Sequence, residues 1–145
     1  MADILHRIEI KAAPDKVYEA VATQQGLASW WTPQADAPDE VGSVAKFRFG
    51  DGTHGPDFEV TDLSPDQRVA WRCVGGVEDW VDTDVTFDIR PTPDGSVVLF
   101  GHKGWKQAGE FYMHCNSKWG FFLGTSLKDY VETGKGRPAP EDPDL

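Results

Sequence analysis

At 145 residues the chain has the length of one domain, and 39% hydrophobic with 26% charged residues is a folded rather than a disordered balance. A formal net charge of −10 argues against a nucleic-acid partner, which needs a basic patch, and against an anionic membrane surface. No basic region followed by an apolar run opens the sequence, and no stretch nears the roughly 20 apolar residues of a membrane span, so a cytoplasmic location without membrane insertion is expected.

Residues 4–11 alternate, with Ile4, His6, Ile8 and Ile10 on one face and Leu5, Arg7, Glu9 and Lys11 on the other, the period of a half-buried strand. Pro14 suits the first turn of a helix, and Val17, Tyr18 and Val21 follow at helical spacing. Gly26 breaks the chain, and Leu27, Trp30 and Trp31 close a second short helix before Pro33. Residues 34–42 are acidic and proline-containing, and read as a loop.

Strands follow over 43–49, 56–63, 68–74, 80–90 and 96–103, separated by turn residues. The alternation is cleanest in 80–90, where Val81, Thr83, Val85, Phe87 and Ile89 oppose Asp82, Asp84, Thr86, Asp88 and Arg90. Short sequential connections make an antiparallel meander the simplest topology. From Gly109 to Thr133 the period becomes helical, with Tyr112, Asn116, Trp119, Leu123, Leu127 and Tyr130 on one stripe and Gly134 as the stop. The fold class is α+β, one domain over 1–134, and the Pro-rich tail 135–145 is expected to be disordered.

Three motifs in this order, Ala13-Pro14 to Val17-Tyr18, Gly26-Leu27-Ala28-Ser29-Trp30-Trp31, and Trp119 through Leu127 and Tyr130 to Gly134, resemble the START-like (SRPBCC) superfamily. Within it the chain is similar to the branch of the C-terminal domain of the heat-shock-protein-90 ATPase activator. The resemblance implies a helix-grip fold: a curved antiparallel sheet of six or seven strands around a long C-terminal helix, with two short helices after the first strand. It also implies an apolar cavity, since relatives hold lipids, sterols or polyketides there. A counterpart of that activator's separate N-terminal domain is not expected, so full co-chaperone activity is not implied.

Six tryptophans and eight phenylalanines supply the walls of such a cavity or a close-packed core. The residues expected to line it are Trp30, Trp31, Phe47, Phe49, Phe58, Trp71, Trp80, Thr83, Val85, Trp105, Tyr112, Asn116, Trp119 and Gly120. Asn116, mid-stripe, needs a partner for its amide: backbone, water or the polar end of a ligand. His102, near Trp105 and expected at the cavity mouth, is the first candidate for proton transfer, and His114 the second.

Neither histidine has a metal-ligand spacing, and Cys73 and Cys115 form no disulfide or metal pattern, so no metal or cofactor is expected. Ser117 and Ser126 lack a nucleophile-elbow context. Phe121 is expected to point outward, as a homodimer contact or a satellite of the N-terminal helices. The reading is binding of a small apolar molecule. Its alternatives are a cyclase- or hydrolase-type enzyme using a cavity histidine, and a chaperone-associated partner module.

Overall fold

The computed structural model describes residues 1–145. Strand β1 (Ala2–Ile10) buries Ile4 and Ile10, half-buries His6 and Ile8, and leaves Leu5, Arg7 and Glu9 in water, as its alternation predicts. Helix α1 (Pro14–Ala22) starts on its proline. Helix α2 (Gln24–Trp30) is capped by the Thr23 hydroxyl, which accepts the Gly26 N–H at 3.0 Å. The two helices approach so closely that a Cβ on Gly26 would lie 2.5 Å from the Ala20 carbonyl oxygen. That same carbonyl accepts the Trp30 indole N–H at 2.9 Å.

A two-residue strand β2 (Ala35–Asp36) lies inside the stretch read as a loop, too short to show any period. Then come β3 (Val44–Phe47), β4 (Asp57–Ser64), β5 (Arg68–Gly75), β6 (Asp84–Thr92) and β7 (Gly95–Trp105). The sheet order is β1-β7-β6-β5-β4-β3-β2, every pair antiparallel. Strands β2 to β7 are therefore a meander, and β1 covers the free edge of the last strand.

The expected strand start at Trp80 is corrected: Glu78–Trp80 is a single 3-10 turn and β6 begins at Asp84. Asp82 takes φ +68°, a left-handed conformation that interrupts a strand and that aspartate tolerates better than most residues. Beyond it the alternation holds. Val85, Phe87 and Ile89 are buried, while Asp84 and Asp88 sit on the wet face beside Arg72 and Arg68.

The C-terminal helix is continuous but not uniform: α3 (Glu110–Phe121), a π-helical segment (Phe122–Leu127) and α4 (Lys128–Thr133), stopped by Gly134 at φ +90°. One row, at steps of four, lies along β1. Tyr112 donates to the Asp3 carbonyl at 2.7 Å, Asn116 Oδ1 accepts from His6 Nε2 at 2.9 Å, and Lys128 donates to the Glu9 carbonyl. Gly120 faces His6 and Gly124 faces Ile8 within the same row. The buried row is instead Cys115, Trp119, Phe122, Leu123, Ser126 and Leu127.

The single stripe expected from the sequence thus splits in two. Asn116 is exposed against β1 rather than buried mid-stripe. Both rows already keep the helical period within α3; β1 lies against one of them and the core takes the other.

The tail also departs from expectation. Arg137 N–H donates to Ser126 Oγ at 2.8 Å, Ala139 N–H donates to the Trp31 carbonyl at 2.8 Å, and Ala139 is buried. These buried acceptors order a segment whose composition alone reads as disorder. Phe121 is half-buried with the Arg137 guanidinium 5.1 Å above its ring, so the chain itself covers the outward contact expected there. No helix is long and apolar enough to cross a membrane.

The Gly26–Ala20 contact yields a stability test. Gly26→Ala pushes a Cβ into backbone and is expected to destabilise by about 1–3 kcal/mol despite the better helix propensity of alanine. Urea unfolding of the two proteins measures this. A gain in stability would show that α1 and α2 separate freely.

Candidate functional site

Trp31, the last residue before the Thr32-Pro33 turn, sits at the centre of the concave side of the sheet. Its ring lies 4.6 Å from Phe47, 5.1 Å from Trp119, 5.7 Å from Phe49 and 6.2 Å from Trp71, centroid to centroid. Phe58 contacts Phe47 and Trp71, and Phe87 packs edge-on against Trp30 and Trp71. Each such ring pair adds about 0.5–1.5 kcal/mol beyond area burial. Trp30, Phe47, Phe58, Trp71 and Val85 are at most 3% exposed. The sheet's concavity is therefore filled by side chains, and these five expected wall residues are core.

The apolar space that remains is a groove of about 290 Å³ between this aromatic layer and α3. Its walls are Trp31, Phe49, Trp80, Phe111, Cys115, Trp119 and Phe122, and its rim carries His114, Lys118 and Asp142. Trp31, Phe49, Trp80, Trp119 and His114 are residues the sequence singles out. Tyr112, Asn116 and Gly120 belong to the row against β1 instead. Trp105 is buried beside Trp80 and opens onto a separate, polar cleft with Glu78, Asp79 and Glu110. Phe111, Cys115, Lys118, Phe122 and Asp142 escaped sequence reasoning. Cys115 and Phe122 lie one residue from Asn116 and Leu123 of the stripe chosen and share Trp119 with it, at the same three-to-four spacing.

Behind the groove lies a polar chain with one direction. An indole nitrogen can only donate, so Trp119 Nε1–H gives its proton to His102 Nδ1 at 3.1 Å. His102 Nε2 then carries the hydrogen and donates to Thr83 Oγ1 at 2.8 Å, and Thr83 donates to the Trp80 carbonyl at 2.5 Å. His102 is fully buried, and desolvation pushes its pKa down to about 3. It lies beneath the core surface rather than at the mouth, with both nitrogens committed. Thr83 is satisfied in the same network and lines no open space.

His114 is exposed, stacks on Phe111 and bonds the Leu145 main-chain oxygen through Nδ1 at 3.0 Å. Burial pushes the Cys115 thiol up to about 11, with the Trp80 indole opposing part of the shift, and burial likewise raises Cys73. Neither cysteine is a thiolate at neutral pH. Trp105 Nε1 is buried without a hydrogen-bond partner, and Trp80 Nε1 has only the weak acceptor Cys115 Sγ. Trp80 is also a wall of the groove.

Residues 11–132 match the family described as activator of Hsp90 ATPase homolog 1-like protein. The chain belongs to this family. A solved relative, the Aha1 dimer from Colwellia psychrerythraea determined in solution, is 44% identical with a TM-score of 0.84, over 94% of this chain and 100% of that one. The protein SSP2350 of Staphylococcus saprophyticus shares the fold at 18% identity and a TM-score of 0.76, over 93% and 95% of the two chains. DynU16, a putative protein of the dynemicin biosynthetic locus, shares it at 23% and 0.76, over 98% of this chain and 50% of that one. No curated protein matches the chain. Family membership and neighbours together establish the helix-grip fold read from the motif order.

The neutral, buried His102 makes stability pH-dependent. Unfolded histidine binds a proton below about 6.5, whereas the folded residue resists protonation down to about 3, so stability falls as pH falls through that window. Between pH 7 and pH 5 this one residue accounts for a loss of about 2 kcal/mol. His102→Gln keeps an acceptor for Trp119 and a donor for Thr83 but cannot titrate. Urea unfolding at the two pH values should show a shallower loss in that variant, and an equal loss would refute the assignment.

Proposed function

We propose that this chain binds a compact, flat apolar molecule in the groove between α3 and the aromatic layer. The observation that carries this reading is the groove itself, an apolar-walled opening left on a concave face that large rings otherwise fill. A ligand's body seated there replaces water on Trp31, Trp119 and Phe122. A water molecule takes about 30 Å³ of liquid, so the groove corresponds to about ten waters and an occupant of about ten to fifteen heavy atoms. The mechanism is burial of ligand surface, at about 25 cal/mol per Å² before the entropic cost of association. With His102 sealed and both thiols protonated, the groove's chemistry supports holding a molecule better than transforming one.

A second reading, self-association, is favoured by the Colwellia relative being described as a dimer. Leu5, Val74 and Met113, at 64%, 48% and 61% exposure, are apolar side chains available to a second copy. Light scattering at twice the 16.1 kDa chain mass would support it, and a monomer at high concentration would end it. The family description also raises stimulation of a chaperone ATPase. An unchanged ATPase rate on adding the protein would remove that role.

Native mass spectrometry of freshly purified protein, gentle against denaturing, tests the first reading by revealing a co-purifying molecule. Calorimetry with 2-naphthamide, a neutral flat probe of suitable size, tests the groove. Trp80→Phe trims one wall by part of the indole bicycle and is expected to weaken binding about fivefold. Equal affinities would take Trp80 out of the recognition.

A further inference from the structure

Two charged groups stand at the rim of walls that are otherwise largely apolar: Lys118 on α3 and Asp142 on the tail. The Lys118 ammonium donates to Asp142 Oδ2 at 2.6 Å and to the Pro143 carbonyl. Both side chains are largely withdrawn from water, 22% and 15% exposed, unlike the surface pair Arg7–Glu9 at 61% and 71%. A lysine half-sunk beside aromatic walls needs a counter-charge, because an unpaired ammonium there loses hydration without compensation. In the structure that counter-charge is a carboxylate from the chain's own tail.

The tail's attachment is uneven. Upstream, Arg137 and Ala139 bond through their backbone N–H groups to Ser126 and Trp31. Past Ala139, hydrogen bonds to the body run through Lys118 and His114 alone. Glu141 is tied to the anchored stretch by its N–H on the Pro138 carbonyl and its own carbonyl on Arg137, so moving Asp142 off the rim breaks contacts to the body at Lys118 and His114 alone.

We infer that Asp142 stands in for a ligand's own carboxylate. The groove takes a molecule with a flat apolar body and one carboxylate, the body against Trp31, Trp119 and Phe122 and the carboxylate on Lys118. This rests on the groove being the binding site proposed above. Exchange of one carboxylate for another keeps Lys118 paired and leaves the local charge balance unchanged once Asp142 moves into water. Asp142 is a tethered competitor, present at an effective concentration of about millimolar or more. It lowers apparent affinity for a carboxylate by the fraction of time it occupies Lys118. A neutral molecule gains nothing from displacing it.

Isothermal titration of the full chain with 2-naphthoate and its neutral isostere 2-naphthamide separates these terms. The proteins compared are the unaltered chain, Asp142→Asn and Lys118→Met. Asp142→Asn is expected to tighten 2-naphthoate about tenfold while 2-naphthamide changes by less than about twofold. Lys118→Met is expected to abolish the preference for the acid, and added salt to weaken only 2-naphthoate. If 2-naphthamide binds but Asp142→Asn leaves 2-naphthoate no tighter, the carboxylate assignment falls and the groove reading survives. If neither compound binds any of the three proteins, both fall together.

Discussion

The Trp119 indole joins the long helix to the sheet, and the rest of the structure is arranged around that junction. Its ring lies 4.6 Å from Phe100, 5.1 Å from Trp31 and 6.1 Å from Trp80, so strand, N-terminal helix pair and 3-10 turn all meet on it. Its N–H, buried with it, must be satisfied inside the protein, and His102 is the acceptor. That requirement propagates outward: it sets the tautomer of His102, which sets Thr83 as acceptor, which ties the turn after Trp80 to β7. Burying about 200 Å² of a tryptophan is worth about 5 kcal/mol by area, a gross term that the entropy of ordering the chain largely offsets.

A sheet this curved, closed by one helix, can either enclose a space or fill it. Here large rings fill it. Trp31 and Trp71 stack nearly parallel at 5° in the middle, and Phe47, Phe58 and Phe87 occupy the flanks. The vacancy is displaced to the side of the aromatic layer that faces α3, with Phe49 and Phe122 among its walls. Moving the vacancy to that side also changes its chemistry. The rim now includes the helix's outer residues, Lys118 and His114, and the tail that crosses them. An enclosed cavity would have offered rings alone.

Two tryptophans pay for this packing in unsatisfied polarity. Trp30 and Trp119 place their N–H groups on Ala20 and His102, whereas Trp80 and Trp105 place theirs on no full acceptor. Such groups are rare in folded proteins, and each calls for a local cause such as strain or a bound water. The π turn at 122–127 is a second local departure from regular structure, and it is also beside the groove. Ser126 in that turn donates to the Trp30 carbonyl and accepts from Arg137, so the same irregular segment holds both the N-terminal helices and the tail.

The order of elements and the buried faces of β1 and of β6 beyond Asp82 were legible in the residues, and the helix-grip class in their resemblance to a family. Period and turn chemistry are local properties, and Ile4-His6-Ile8-Ile10 or Val85-Phe87-Ile89 state their buried face without help from the rest of the chain. The groove was not legible in that way. Tyr112, Asn116 and Trp119 satisfy a helical period as well as Cys115, Trp119 and Phe122 do, and only β1 lying against one row decides which faces the core. His102 reads as a reachable base until its two partners, 17 and 19 residues away, are seen to enclose it. The tail reads as solvent-seeking until Ser126, Trp31 and Lys118 supply acceptors and a charge. Local pattern thus determined what each segment is. The non-local competition for buried hydrogen bonds and counter-charges, which no window of sequence contains, decided where the open surface lies and what chemistry faces it.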